Sequence, residues 1–229
     1  MYIFISPHFD DAVGSAGGII NRLVESDKEC CIMTIMTAVP WGLPQSAIYV
    51  LRRHLENNRA ARILGCSVKN ASFLDAPYRK EMRKSVKRSK KHLFTAEITE
   101  HDLVNEIRDY ISAHTKPEDI LIAPAGLGNH IDHRIVNLAV QNIDRQVYFY
   151  EEFFYDRNNK NSLLTENYEY VSLDFHEIEE KIHAMMQYKK TLRKLFKRKW
   201  EKKMKNYFEI ERIHQGKPYE RFNNTRFLR

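Results

Sequence analysis

Tyr2-Ile3-Phe4-Ile5-Ser6-Pro7-His8-Phe9-Asp10-Asp11 opens the chain with a short apolar run that breaks into a proline, a histidine and two aspartates. About 120 residues later the pattern returns: the apolar run Asp119–Pro124 is followed by Gly128-Asn129-His130-Ile131-Asp132-His133. Two strand-to-loop junctions therefore supply His8, His130 and His133 together with Asp10, Asp11 and Asp132. Imidazoles and carboxylates in that combination suit a metal-assisted hydrolase, some as ligands and others as groups that move protons. Adjacent aspartates point in different directions, so one of Asp10 and Asp11 can coordinate while the other faces a water. Taken singly, a histidine beside a strand end is more often a hydrogen-bonded surface residue, and Asp-Asp after a strand is often a helix N-cap pair. Two such clusters at matched strand ends shift the balance to chemistry.

Outward from these junctions the chain alternates. Five apolar, β-rich runs are predicted as strands: Tyr2–Ser6, Cys30–Thr37, Ala71–Leu74, Asp119–Pro124 and Gln146–Glu151. Between them, Gly14–Glu25, Gln45–Leu64, Thr99–His114 and Ile131–Ile143 carry helical spacing. In Gln45–Leu64 the predicted buried stripe runs through Ile48, Leu51, Leu55, Ala60, Ile63 and Leu64; Thr99 and Asp102 resemble a capping box. Strand–helix alternation with nearly continuous apolar strands predicts an α/β fold: a Rossmann-like, mostly parallel sheet flanked by helices. Ligands in such sheets bind beyond the carboxyl ends of the strands, so both clusters should emerge on one rim. Ala16-Gly17-Gly18 allows a close backbone approach there.

The last third changes rhythm. Tyr168–Phe175 reads as a strand and Glu177–Phe208 as one long or broken helix, with Leu192, Phe196, Trp200, Met204 and Phe208 recurring every four residues. With 229 residues and no low-complexity linker, residues 1–229 read as a single domain: a catalytic core over about 1–150 and a C-terminal strand and basic helix over about 168–229.

The net charge of +7 is uneven. Residues 79–91 hold eight Lys/Arg against one acid, and residues 189–205 hold ten against one, so the rest of the chain is acidic. Two such segments point to an anionic partner: a phosphorylated or nucleotide-linked sugar, or a lipid-linked one at an acidic membrane surface. Basic residues with Phe196, Trp200 and Tyr207 interleaved also raise a nucleic-acid-binding or non-catalytic partner role, the weaker reading. Three cysteines, two of them adjacent, make a poor disulfide framework. The apolar start has no positive residue before it and stops at Pro7-His8, unlike a signal peptide. A cytoplasmic protein is the expectation, with a homo-oligomer left open.

Pro7-His8-Phe9-Asp10-Asp11 and His130-Ile131-Asp132-His133 resemble the two signatures of the PIG-L/LmbE-like zinc-dependent de-N-acetylases. The resemblance continues through Arg53-x-x-Glu56, Leu64-Gly65, Leu74-Asp75-Ala76-Pro77-Tyr78-Arg79, Tyr150-Glu151-Glu152 and Gly216-x-x-Tyr219-Glu220-Arg221-Phe222. It implies His8, Asp11 and His133 as ligands of Zn2+, with Fe2+ also compatible with this donor set. It further implies Asp10 as general base, His130 as oxyanion stabiliser or proton donor, and Asp132 as the group orienting an imidazole. Arg53 and Asp75 fall where related enzymes contact sugar. The implied reaction is removal of an N-acyl group, acetyl above all, from an amino sugar. One departure stands out: Ala12 replaces the glutamate that commonly follows Asp-Asp, which removes an expected supporting hydrogen bond.

Overall fold

The computed structural model describes residues 1–40, 44–80, 91–152 and 168–228. Five parallel strands form its centre: β1 (Tyr2–Ser6), β2 (Cys30–Thr34), β3 (Ser67–Asn70), β4 (Ile120–Pro124) and β5 (Val147–Tyr150). The order is β3-β2-β1-β4-β5, extended by antiparallel β8 (Lys217–Phe222) and β6 (Glu169–Ser172); the short β7 (Ile213–His214) pairs with β8. Successive side chains of a strand point to opposite faces, and the core divides accordingly. Phe4, Ile32 and Ile122 face one layer; Ile3, Ile5, Met33, Leu121 and Ala123 face the other.

The first layer packs under α1 (Asp11–Glu25), the C-terminal half of α2 (Pro44–Ile63), and three C-terminal helices: α6 (Phe175–Met185), α7 (Lys189–Phe196) and α8 (Trp200–Asn206). The short α3 (His92–Thr95), α4 (His101–Ala113) and α5 (Ile131–Gln141) complete the helix set, and α4 and α5 cover the second layer. The predicted mostly parallel α/β sheet is therefore the fold, and no described helix is long and apolar enough to cross a membrane.

Three details depart from the sequence reading. The third strand lies at Ser67–Asn70 rather than Ala71–Leu74, where only Leu74 bridges, to Ala38. The expected capping box of α4 does not form: the cap is Glu100, without a side-chain cap bond, and its carboxylate turns to Arg79. The stripe of α2 is inverted at its N-terminal half. Ile48, Leu51 and Leu55 are exposed, while Arg53, Glu56 and Asn57 are buried, so polar groups face the interior there; Ala60 and Leu64 are buried as expected. Of the two forms expected for the C-terminal helical stretch, the broken one is observed, with Lys197 and Lys199 at φ 60° and 58° between α7 and α8. Its stripe still packs inward: Leu192, Phe196, Trp200, Met204 and Phe208 are all buried in the core.

Helix α1 is kinked at Ala16 (φ −132°, ψ 15°), which exposes backbone N–H groups just beyond. The Glu220 carboxylate of β8 accepts them from Gly18 (2.9 Å) and Ile19 (3.0 Å) and also takes Lys181 Nζ at 2.6 Å. A Cβ on Gly18 would stand 2.7 Å from Leu173, so this glycine serves close packing between α1 and the C-terminal unit.

Candidate metal centre

Strands β1 and β4 are direct neighbours, with Phe4 opposite Ile122, so the loops leaving their carboxyl ends meet. The first loop is shaped by Ser6. Its hydroxyl donates to the His8 carbonyl and accepts from Ala12 N–H (3.0 Å). Ala12 itself is fully buried in the core, and its backbone N–H, not its side chain, is what Ser6 engages. Asp10 occupies the N-cap position of α1 without capping it, and Asp11 is already in the first turn. Neither carboxylate is spent on the helix, which disposes of the N-cap reading.

Asp11 Oδ2 lies 3.0 Å from His8 Nδ1 and 3.1 Å from His133 Nε2. It also accepts the His8 backbone N–H at 2.8 Å. One ring nitrogen from each of His8, His130 and His133 lies within 4.8 Å of the others. The opposite nitrogens of the two outer rings are held by carboxylates: His8 Nε2 is 3.1 Å from Asp132 Oδ2, and His133 Nδ1 is 3.4 Å from Glu152 Oε1. A metal-ligating histidine generally donates its second N–H to a carboxylate or carbonyl, which fixes ring and tautomer. His8 Nδ1, His133 Nε2 and Asp11 Oδ2 thus form two imidazoles and one carboxylate, each ring braced from behind. That donor set fits an open-sided divalent metal site.

A second grouping, His8 with Asp75 and Asp132, also brings ligand atoms within 4.8 Å. Asp132 is less suited to coordinate. Its fully buried carboxylate already accepts from Arg79 Nη1 (2.5 Å) and from Ala76 N–H (3.1 Å). It acts from behind His8, so the imidazole it orients belongs to the other cluster.

The electrostatics agree. Burial disfavours a charged His8, yet hydrogen bonds to Asp11, Asp132 and Asp75 override it and raise the ring's pKa well above its ordinary value. Against the same penalty, Asp11 and Glu152 push His133 up to about 9. Burial and the two neighbouring imidazoles drive His130 down to about 3. The position between His8 and His133 attracts positive charge, whether protons or a metal ion, whereas His130 stays neutral. His130 Nδ1 accepts the Asp132 backbone N–H at 3.3 Å, so the neutral ring carries its proton on Nε2.

Asp10 is anchored differently. Arg53, 5% exposed, donates from Nη2 to Asp10 Oδ1 at 2.6 Å. Asp75, about one-third exposed, stands 3.6 Å from His8 Nε2. All of these border a cavity of about 430 Å³ whose walls include Tyr49, Tyr78, Phe94 and Leu195. That volume lies in the usual range of small-ligand sites, ~300–1,000 Å³.

Two supporting residues, both within stretches of the family resemblance, were given no role at the site by sequence reasoning. Glu152 backs His133 and accepts Gly126 and Leu127 N–H groups; its sole sequence sign was the Glu151-Glu152 pair closing β5. Arg79 was counted with the basic segment 79–91, but it is 5% exposed and pairs with Asp132 and Glu100. The remaining expected members of that segment over residues 81–90 lie outside the described residues.

Comparison with known proteins gives the chain's relatives and family. The chain is 26% identical over 236 residues to the 2'-N-acetylparomamine deacetylase of Niallia circulans, covering 90% of this chain and 86% of that one. Its fold matches a teicoplanin deacetylase in its zinc-inhibited form (TM-score 0.74, 20% identity, 96% of both chains). It also matches the N,N'-diacetylchitobiose deacetylase of Pyrococcus horikoshii (TM-score 0.59, 19% identity, 96% of this chain and 80% of that one). The profile of the PIG-L family, described as GlcNAc-PI de-N-acetylase, covers residues 3–143, which is more than half of the chain and includes both clusters. The protein belongs to the PIG-L family.

Proposed function

We propose that this protein is a metal-dependent hydrolase that removes an acetyl group from the nitrogen of an amino sugar. The observation that carries the reading is the paired bracing of His8 by Asp132 and His133 by Glu152 around Asp11, with an Arg-anchored carboxylate one residue away. His8, Asp11 and His133 would hold the metal, zinc first and ferrous iron second by donor type. Such an ion supplies Lewis acidity at neutral pH.

The remaining groups divide the proton work. Asp10 has one oxygen tied to Arg53; the other is available to take a proton from the attacking water and to return it to the departing amine. His130 borders the cavity, and its Nε2–H would hold the oxyanion as the amide carbonyl becomes tetrahedral. Its low pKa favours a hydrogen-bond donor over an imidazolium acid. Asp75, the more exposed carboxylate of the cavity, suits a sugar hydroxyl.

An N-acetylated aminoglycoside precursor heads the substrate classes, because the Niallia circulans relative acts on 2'-N-acetylparomamine and aligns over most of its length. The exposed cations of α7 beside the cavity support an anionic or lipid-linked sugar instead. Metal-loaded protein should be incubated with 2'-N-acetylparomamine, diacetylchitobiose and UDP-N-acetylglucosamine, and each followed by mass spectrometry. Loss of an acetyl group that stops on chelation and returns with metal is expected. Acetyl release indifferent to chelation, or none from any N-acetylated sugar, would exclude the reading.

A further inference from the structure

We infer that Arg53 and Thr191 are positioning residues for the Asp10 carboxylate, and that α7, outside the family-matched region, thereby completes the catalytic centre. This rests on the deacetylase reading above, and it reassigns Arg53 from sugar contact to support.

Both terminal nitrogens of the Arg53 guanidinium are committed, while its buried Nε has no hydrogen-bond partner among the described residues. Nη2 donates to Asp10 Oδ1 at 2.6 Å, and Nη1 donates to Thr191 Oγ1 at 2.7 Å and Glu56 Oε2 at 3.2 Å. Its carbon lies 5.1 Å from the Phe9 ring centre and 5.5 Å from that of Tyr188, so aromatic rings contact the planar group as well. The side chain is 6% exposed, which leaves little surface for a sugar hydroxyl. A carboxylate as buried as Asp10 needs a partner for its charge. The planar fork supplies one while fixing where the second oxygen points, and a lysine cannot reproduce that geometry.

Thr191 sets the fork's orientation from α7. Helix α7 is anchored by buried Leu192 and Phe196, one residue and five residues beyond Thr191, so its backbone is fixed by the core. This bond ties α7 to α2, and through the same guanidinium to Asp10 in the loop after β1. Misplacing a reacting group by about 1 Å can cost on the order of 100-fold in rate. The basic C-terminal segment thus contributes a neutral hydroxyl to the centre.

The test uses the metal-loaded full chain and the best-cleaved N-acetylated sugar among the three named above. Arg53→Lys should lower kcat roughly 10- to 100-fold with KM within about twofold. Thr191→Val should shift kcat the same way by a smaller factor, and Thr191→Ser should restore it; metal content should match wild type throughout. A raised KM with kcat retained in Arg53→Lys would make Arg53 a sugar contact and overturn the inference. So would a Thr191→Val enzyme with wild-type kcat, or a Thr191→Ser enzyme no better than valine. If wild type cleaves none of the sugars, the substrate reading fails, and the inference is read by NMR on arginine-labelled protein. One slowly exchanging guanidinium signal should then move in both Asp10→Asn and Thr191→Val. Its absence, or its indifference to either change, overturns the positioning role by itself.

Discussion

The carboxylate of Asp132 reaches His8 Nε2 at 3.1 Å, so the second cluster orients an imidazole of the first. It can do so fully buried because Arg79 Nη1 lies 2.5 Å from its other oxygen. The two loops are therefore locked to one another before any ligand arrives. Arg79→Met would leave a buried carboxylate without its cation, an arrangement that typically costs about 3–5 kcal/mol. A lower melting temperature and weaker metal binding are expected together. An unchanged melt with unchanged metal affinity would show that Arg79 is dispensable to the centre.

The ligand assignment makes a graded prediction. His133→Ala removes a ligand and should sharply lower bound metal, measured by elemental analysis after dialysis. Glu152→Gln keeps the ligand but weakens its brace and its hold on Gly126 and Leu127; affinity should fall roughly 10- to 100-fold in a chelator competition. Full stoichiometric metal of wild-type affinity in His133→Ala would break the assignment outright.

The proposed mechanism gives the neighbours Asp10 and Asp11 separate tasks, and substitution should separate them. Asp10→Asn should retain metal and lose about 10²–10⁴-fold in kcat, the usual worth of a general base. Asp11→Asn should lose metal first. Equal loss of metal in both variants would mean that Asp10 is a ligand.

Much of this centre was legible because its chemistry sits at strand ends, where period and composition change together. His8, Asp10, Asp11, His130, Asp132 and His133 all border one rim, as two parallel neighbouring strands require. What was not legible depends on tertiary pairing. Arg53, Glu56 and Asn57 sit on the buried side of α2 and displace Ile48, Leu51 and Leu55 to the surface, because the cavity needs a cation for Asp10 more than the helix needs apolar burial. Arg79 opens a basic run, and its contacts with Asp132, 53 positions away, and with Glu100 set it apart. The four-residue stripe of the C-terminal helices was read correctly as a face, but the breaks at Lys197 and Lys199 carry no glycine or proline to announce them.

With that stripe packed inward, Lys190, Lys194, Lys197 and Arg198 are exposed on α7 and the turn after it, while Thr191 and Leu195 of the same helix border the cavity. The cavity itself carries Asp10, Asp11 and Asp75. An anionic substrate should feel the outer cations during approach, and a cationic amino sugar should feel them as a barrier. For UDP-N-acetylglucosamine, kcat/KM should fall as ionic strength rises from roughly 0.05 to 0.3 M, because the Debye length shrinks to less than half. Changing Lys190, Lys194, Lys197 and Arg198 to Gln should lower the starting value and flatten that dependence. For 2'-N-acetylparomamine the sign should reverse: salt should raise kcat/KM in wild type, and the quadruple variant should start higher. The compound with the higher kcat/KM at low salt then identifies the substrate charge that this face favours. Identical salt dependence in wild type and variant, for both compounds, would show that the exposed lysines and arginine of α7 take no part in capture.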